Sequence, residues 1–287
     1  MKKLSIIVLF CLLCAATHAQ SGRTGRLRWN ISNATLTITG TRAMPNYSIS
    51  SVAKPNSTPK IVITTPWWSK YDSIFNVIID EGVTNIGNYA FGFCRNLQSV
   101  TIPNSVTKIG KNAFMACSRL YSVIIPNKVI NIGDNAFDLC RNLTSVSIGN
   151  SVTSIGNHAF GGCSSLTSII IPNSVKNIGN SAFVNCSKLT SITIPNSVIS
   201  IGGRAFADCL RLTSVNIGIS VTSIGEEAFG DCRSLSKIVN HATKPQRIKA
   251  NVFKDVNITA CTLQVPAVSV NAYRKARVWK EFQIEGF

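Results

Sequence analysis

Apolar residues recur along most of this chain with a period of 23. From residue 79 to 239 the rows follow one template, V-x2-I-G-x2-A-F-x2-C-x2-L-x2-[VI]-x-I, and seven rows fit it. A fixed period of this size predicts stacked repeats that share one continuous core. The template phenylalanines are Phe91, Phe114, Phe137, Phe160, Phe183, Phe206 and Phe229, and the template cysteines are Cys94, Cys117, Cys140, Cys163, Cys186, Cys209 and Cys232.

A short segment of each row alternates polar and apolar residues. In "SVTIP", Val100 and Ile102 are expected to face inward while Ser99 and Thr101 face out, the pattern of a half-buried strand. Pro103 ends this strand, because proline lacks the N–H that a continuing ladder needs. Each row therefore predicts one short strand.

The remainder of each row predicts a turn. Gly87 and its equivalents suit a backbone position with positive φ. The residues that follow these glycines are good helix N-caps, so we expect a short helical turn through the Ala-Phe pair. The N-cap candidates are Asn88, Asp134, Asn157 and Asn180.

No single row can bury its apolar side alone, so neighbouring rows must stack. Each strand is expected to pair in parallel with the next at about 4.8 Å. Like residues then form continuous columns of Phe, Leu, Ile and Cys inside. Asn240 stands where the last row needs an isoleucine, so the repeat array is expected to stop there.

The first residues are those of an export signal. Lys2 and Lys3 precede an apolar run over residues 4–16, and "ATHAQ" supplies the small residues of a cleavage site. That run is too short to cross a bilayer, which needs about 20 residues, so no transmembrane segment is expected. Leu13 before Cys14 is a poor fit to lipoprotein processing. We expect residues 1–19 to be a signal peptide and the protein to be secreted, periplasmic or associated with the cell surface.

The charge is strongly basic. Loss of Lys2 and Lys3 lowers the formal net charge from +17 only to +15. This favours acidic partners such as anionic glycans, and the alternative is a solvated surface that keeps an exported protein soluble. Nucleic acid is not expected, because the signal peptide directs the chain out of the cytoplasm and no stacking aromatics interleave the basic residues.

The cysteines admit three interpretations. A zinc or iron–sulfur site wants cysteines two to four residues apart, whereas template cysteines are 23 apart. An exported chain can form disulfides. Cysteines stacked in neighbouring rows, however, have parallel Cβ vectors, and this geometry does not suit a disulfide bond. The favoured interpretation is a column of small apolar side chains, and no metal or other cofactor is expected.

The sequence lacks a catalytic constellation. His158 and His241 are the histidines after the signal peptide, and His158 occupies a variable, exposed slot of the template. Several acids gather in the last rows, but they fall in variable surface positions that an ordinary charged face explains: Asp208, Glu226, Glu227 and Asp231. Hydrolysis needs a nucleophile with a base, or paired carboxylates in a cleft, so an enzyme is not expected.

Two surfaces are candidates for ligand binding. The first is a basic stripe in the two positions between Cys and Leu, filled in six of seven rows by Arg95, Arg119, Arg141, Lys188, Arg211 and Arg233. The second is a hydroxyl-rich strip on the outer side of the strands, for which we name Ser99, Thr101, Ser122, Ser145, Ser147, Ser168, Ser191, Thr193, Ser214 and Asn216. The strip has few residues of the kind that dominate binding energy, and small or β-branched residues that suit a parallel sheet explain it as well.

The template resembles the BspA-type leucine-rich repeats of bacterial surface and secreted proteins, which carry the order I-P-x2-V-x2-I-G-x2-A-F-x2-C-x2-L. The resemblance implies an α/β repeat protein, a right-handed solenoid with short parallel strands on the concave face. It also implies a β-hairpin cap over residues 20–78, repeats over 79–239, and a strand-helix cap over 240–287 with Tyr273 and Trp279 as packing anchors.

The function implied by the resemblance is non-enzymatic adhesion, by binding of a protein or an acidic glycan. The alternative is a structural or accessory module of a cell-envelope complex without a host ligand.

Overall fold

The computed structural model describes residues 20–52 and 60–287, and the predicted signal peptide lies outside these ranges. The described chain begins with an antiparallel sheet of three strands and a separate hairpin. The strands are β1 (Gln20–Thr24), β2 (Leu27–Ser32), β3 (Thr35–Thr39), β4 (Ile49–Val52) and β5 (Lys60–Ile63), followed by a 3-10 helix over Trp68–Ser73. β3 then pairs in parallel with β6 (Asn76–Ile79), the first strand of the repeats.

The repeats form a solenoid of parallel strands. A long strand and a two-residue strand alternate along the chain: β7 (Asn85–Ile86), β8 (Ser99–Thr101), β9 (Lys108–Ile109), β10 (Ser122–Ile125), β11 (Asn131–Ile132), β12 (Ser145–Ile148), β13 (Ser154–Ile155), β14 (Asn177–Ile178), β15 (Ser191–Ile194), β16 (Ser200–Ile201), β17 (Ser214–Ile217), β18 (Ser223–Ile224) and β19 (Lys237–Asn240). The short strands form one seven-stranded sheet. Paired residues such as Ser122 and Ser145 are one period apart, so the predicted parallel stacking is confirmed.

The long-strand ladder is interrupted between β8 and β10, which belong to separate sheets, and again in the middle of the array. Residues 168–171, which the sequence predicts to be a strand, carry no strand assignment between β12 and β15 within the described chain. Their inward residues Ile169 and Ile171 are nevertheless buried. The polarity pattern thus sets the inside and outside of this coil even where the ladder is not formed.

Columns of identical side chains fill the interior, as predicted. All seven template phenylalanines are fully buried. Their rings stack nearly parallel with centroids 5.1 to 5.5 Å apart. Offset-stacked aromatic pairs contribute about 0.5 to 1.5 kcal/mol beyond the area they bury, so the column adds stability at every coil junction.

The predicted helical turn is wrong. The segment from the template glycine to the leucine consists of consecutive turns in every row, and two residues of each row have φ between 51° and 63°. In one row these are Asn135 and Leu139. Left-handed residues at both places reverse the chain too tightly for a helix. The turn backbone bonds to the next coil, as where Phe114 N–H donates to the Ala136 carbonyl over 2.8 Å.

The predicted role of the template glycines is also wrong. Gly110, Gly133 and Gly156 do not have positive φ. A Cβ added to Gly156 would instead lie 2.7 Å from the Asp134 nitrogen and 2.7 Å from the Gly133 carbonyl carbon. Glycine is required because the backbones of successive coils approach too closely for any side chain.

The predicted N-cap residues have another function. Asn88 Oδ1 accepts the backbone N–H of Lys111 over 2.9 Å, and Asn157 Oδ1 accepts that of Asn180 over 2.8 Å. Asp134 and Asn180 make the same bond to the coil that follows them. These side chains tie one coil to the next instead of capping a helix.

The 23-residue period ends at Asn240, but the stacking does not. β19 pairs with β20 (Thr262–Val265), which pairs with β21 (Gln283–Gly286), both in parallel. Phe253 continues the ring column, 5.6 Å from Phe229. Asn240 itself is fully buried, and its amide donates to Gln246 Oε1 over 2.9 Å.

Aromatic residues close both ends of the ring column. Trp67 stacks on Phe91 at 5.8 Å, and Trp279 meets Phe253 edge-on at 5.7 Å. The one α-helix of the described chain, α1 (Val270–Lys275), carries the buried Tyr273. Short 3-10 turns at Ala250–Phe253, Ile258–Ala260, Ala267–Ser269 and Trp279–Glu281 complete this end.

Candidate functional site

The cysteine column is buried, and its environment disfavours thiol chemistry. The eight cysteines of the described residues are free and buried. Each template thiol from Cys117 onward donates to the carbonyl of the phenylalanine 26 residues earlier, as Cys163 does to Phe137 over 3.3 Å. Burial raises the pKa of these thiols, that of Cys94 to about 12. Nucleophilic and metal-binding chemistry requires a thiolate, which this environment disfavours.

The cysteines and the other titratable residues do not gather into a metal centre. Within residues 20–52 and 60–287, no three of the His, Cys, Asp and Glu side chains are grouped closely enough to hold an ion. His158 is exposed in a turn, and His241 packs edge-on against Phe287 with ring centroids 5.2 Å apart.

The acids of the last rows are held in ion pairs. Arg204 contacts Asp208 over 3.1 Å and Glu227 over 2.6 Å, and Glu226 pairs with Lys249. These groups lie on the surface formed by the stacked turns. Their charges are therefore largely compensated there, in agreement with the interpretation of an ordinary charged face.

The basic stripe contrasts with this surface. All six of its side chains are exposed. Arg233 pairs with Asp231 over 2.9 Å, whereas the other five make no ion pair within the described part of the chain. The stripe zigzags between two adjacent columns, and in the row without a basic residue the two positions hold Ser164 and Ser165. At the usual strand spacing it extends about 30 Å.

The predicted hydroxyl strip lies on the outer side of the long strands, which we call the strand face. The strip residues are exposed or half-exposed, while their neighbours Val123 and Ile192 are buried. Two large apolar side chains interrupt the strip, Ile124 at 71% and Ile170 at 82% exposure.

A groove of about 710 Å³ crosses the strand face near Ile170. It lies where the strand ladder is interrupted. Its lining includes Ser168, Ile170, Thr193, Asn216 and His241. Several predicted strip residues therefore meet in one concave surface, which the sequence pattern alone did not indicate.

The strand face continues into the N-terminal sheet, which the sequence analysis missed. Because β3 pairs with β6 and β6 with β8, Thr37, Ile78 and Thr101 occupy one outward row. Two arginines, Arg23 and Arg28, lie opposite each other at the end of this surface. The sequence signal that could have found it is the alternation of inward and outward residues on either side of the Gly25-Arg26 turn. With Thr24 and Leu27 facing inward, Arg23 and Arg28 must both face out.

The helices of the described residues are all too short to cross a bilayer. The chain matches the model of the BspA type leucine rich repeat region, in six copies, over residues 62–188 and 153–276. No curated protein matches the chain.

Several solved structures that match the chain are of bacterial leucine-rich-repeat proteins. The leucine-rich-repeat protein TpLRR of T. pallidum has a TM-score of 0.55 at 24% identity, over 73% of this chain and 88% of that one. A leucine-rich-repeat protein of Bacteroides ovatus has a TM-score of 0.45 at 20% identity, over 92% and 90%. A leucine-rich cell-surface protein of Faecalibacterium prausnitzii has a TM-score of 0.41 at 23% identity, over 93% and 94%. At 24% identity the likeness to TpLRR extends to the fold alone.

Proposed function

Because the chain belongs to the family of proteins with BspA-type leucine-rich repeats, we propose that it is a non-enzymatic, exported binding protein. Its rigid solenoid presents the basic stripe, and next to it the strand face, to a protein or an acidic glycan. Export rests on the sequence of residues 1–19, which fits a signal peptide.

The observation that carries this proposal is the uncompensated charge of the stripe. Arg95, Arg119, Arg141, Lys188 and Arg211 have no ion-pair partner within the described residues, although Asp134, Asp208, Glu226, Glu227 and Asp231 on the turns are paired. A row of unpaired cations on a rigid support raises the local concentration of anionic ligands and speeds their association. In adhesion, such a surface would bind anionic groups on another cell or on the extracellular matrix.

Adhesion also agrees with the mechanical character of the fold. Every coil contacts only its neighbours, and the side chains that bond across coils fix the spacing of the stripe. The ligand therefore meets cations whose positions are preorganised, which lowers the entropy cost of binding.

The test is binding of the purified chain from residue 20 to heparin at low salt, compared with a variant in which Arg95, Arg119, Arg141 and Arg211 become Gln. We expect the variant to bind at least about tenfold more weakly, which corresponds to about 1.4 kcal/mol. The matched control changes four exposed lysines away from the stripe to Gln, namely Lys108, Lys128, Lys176 and Lys244.

The control removes the same net charge, so equal losses in the two variants would mean that net charge alone attracts the anion. Absence of binding by the native protein would favour the alternative, a structural module of an envelope complex.

A further inference from the structure

The end of the strand face carries two arginines that repel each other. In the hairpin of β1 and β2, Arg23 is the cross-strand partner of Arg28, and Arg28 is also opposite Thr39 of β3. Both guanidinium groups are exposed on the outer side, because the adjacent Thr24 and Leu27 are buried. The two arginines therefore share one side of the sheet.

Their backbones are close. Thr24 and Leu27 close a two-residue turn and form the hydrogen-bonded pair, so Arg23 and Arg28 form the next, non-hydrogen-bonded pair. Such pairs have Cα atoms about 4.5 Å apart, and like charges in this position destabilise the sheet. An anion between the two side chains relieves this repulsion.

The hairpin contains no internal counter-ion for this pair. Neither arginine makes an ion pair within the part of the chain that the structure describes. Asp72 is the one acidic residue in the sequence from 20 to 75, against seven lysines and arginines. Asp80 follows β6 beside Thr39 and is exposed, but it makes no ion pair with Arg28 among the described residues. No direct ion pair within the described residues therefore neutralises the two arginines.

The arginines line a groove with a polar wall. Its volume is about 550 Å³, within the range of about 300–1,000 Å³ of small-molecule sites. The lining contributes the hydroxyls of Ser21, Thr37 and Thr39 and the amide of Asn30. Hydroxyls, one amide and two guanidinium groups in one groove match a ligand that carries many hydroxyls and an anionic oxo group.

We propose that Arg23 and Arg28 form a binding site for an acidic saccharide, in which the two guanidinium groups hold a carboxylate or sulfate and the hydroxyl and amide side chains hold the sugar. Guanidinium groups bind such planar or multi-oxygen anions in two-point geometry, which an ammonium group does not match. The inference rests on the proposed function, because it takes the ligand to be an acidic glycan that an exported protein would meet. It assigns a site separate from the basic stripe.

The test is titration calorimetry of the chain from residue 20 with a heparin hexasaccharide, a hyaluronan hexasaccharide and neutral maltohexaose. Heparin carries sulfate and carboxylate whereas hyaluronan carries carboxylate alone, so the two probes distinguish the sources of the anionic group. We expect the acidic probes to bind at this site, and R23Q/R28Q to weaken that binding event at least about tenfold while binding at the stripe remains. R23K/R28K keeps the charge but loses the two-point hydrogen bonding of the guanidinium groups. We expect this variant to bind the acidic probes at least about threefold more weakly than the native chain does.

The matched control is R26Q/R42Q, which removes the same charge from exposed positions of the same cap that do not line the groove. We expect it to change binding less than about threefold, because only screened, longer-range attraction is lost. Circular dichroism of each variant confirms the fold, which exposed substitutions leave intact. Equal losses in R26Q/R42Q and R23Q/R28Q overturn the site. So does binding of maltohexaose, or of a poly-glutamate peptide, as tight as that of the acidic saccharides.

Failure of this site and failure of the proposed function are separable. If the stripe variant keeps native affinity and R23Q/R28Q loses it, the stripe is wrong and the arginine pair stands. If only the stripe variant loses affinity, the arginine pair is wrong.

Discussion

Replacement of Gly156 by alanine tests the close approach of coils directly. The backbone of Gly156 is not left-handed, so alanine can adopt its φ without strain. The added Cβ, however, would lie 2.7 Å from the Asp134 nitrogen and 2.9 Å from the Gly133 carbonyl oxygen. Any loss of stability therefore comes from contact between coils and not from backbone conformation.

The size of the loss follows from how far the coils must separate. Ordinary contacts of a Cβ begin near 3.4 Å, so two backbones that bond to each other must move apart by about 0.7 Å. The Gly156 N–H donates to the Ile132 carbonyl over 3.0 Å, and this hydrogen bond weakens with the separation. Overpacking costs about 1 to 3 kcal/mol and a weakened buried hydrogen bond about 1 more, so we expect a loss of about 2 to 4 kcal/mol.

The assay is equilibrium unfolding in urea, followed by circular dichroism for the coils and by tryptophan fluorescence for the ends. The four tryptophans, Trp29, Trp67, Trp68 and Trp279, lie outside the seven rows. If the altered junction uncouples the two halves, the fluorescence and circular dichroism transitions should no longer coincide.

The control is Gly162→Asn. Gly162 has a φ of +63°, and the equivalent position of the following row is already Asn185 with a φ of +58°. Asparagine tolerates this conformation. The added Cβ would lie 2.9 Å from the end of the Leu139 side chain, which can move, and not from backbone as at Gly156, so we expect a change within about 0.5 kcal/mol. If Gly156→Ala is equally harmless, the coils do not approach as described and the glycine column has another cause.

Three further predictions concern the interior. Phe160→Ala should lower the free energy of unfolding in urea by about 3 to 5 kcal/mol, and Ser168→Ala by less than about 0.5; equal losses would reverse the assignment of inside and outside. Asn240→Ile restores the repeat template yet should lower stability by about 1 to 3 kcal/mol, because the buried Gln246 Oε1 loses its donor and the Ala242 N–H loses its acceptor; a higher melting temperature would contradict this. Burial raises the pKa of the Cys94 thiol from 9.0 to about 12, so its stabilising contribution is complete below about pH 9 and disappears as the pH rises toward 12. The urea midpoint should fall over that interval, and less steeply in Cys94→Ala.

The inside and outside of the solenoid could be predicted from the sequence because the alternation of positions along each strand, repeated in every row, decides them. Val123 is buried and Ile124 is exposed although both are β-branched and apolar. Their positions in the alternation, and not their own chemistry, distinguish them. The columns of Phe and Cys follow in the same way, since a constant period places equal residues above one another.

The turn could not be predicted, because glycine is favoured for either of two physical reasons. Glycine allows either a left-handed φ or a close approach between two backbones. The sequence around Gly133 does not distinguish these two possibilities. The asparagine after the glycine is similarly ambiguous, since an Asn Oδ1 accepts a backbone N–H within its own turn or in the next coil. Both alternatives depend on the distance between coils, which belongs to the tertiary structure.

The groove at the end of the strand face was missed for a related reason. Arg23 and Arg28 are separated by a short turn in the sequence, and neither belongs to the repeat. Only the pairing of β3 with β6 shows that the N-terminal sheet and the repeats share one outer surface.

The ring column that Trp67 and Trp279 close has a consequence for how such a protein changes over generations. Every junction between its ends offers the same neighbours to the coil above and the coil below. Gain or loss of one whole 23-residue unit therefore leaves all remaining junctions as they were and lengthens or shortens the molecule by one step. The two ends close the hydrophobic core, while duplication of a 23-residue unit in the gene changes the length of the solenoid.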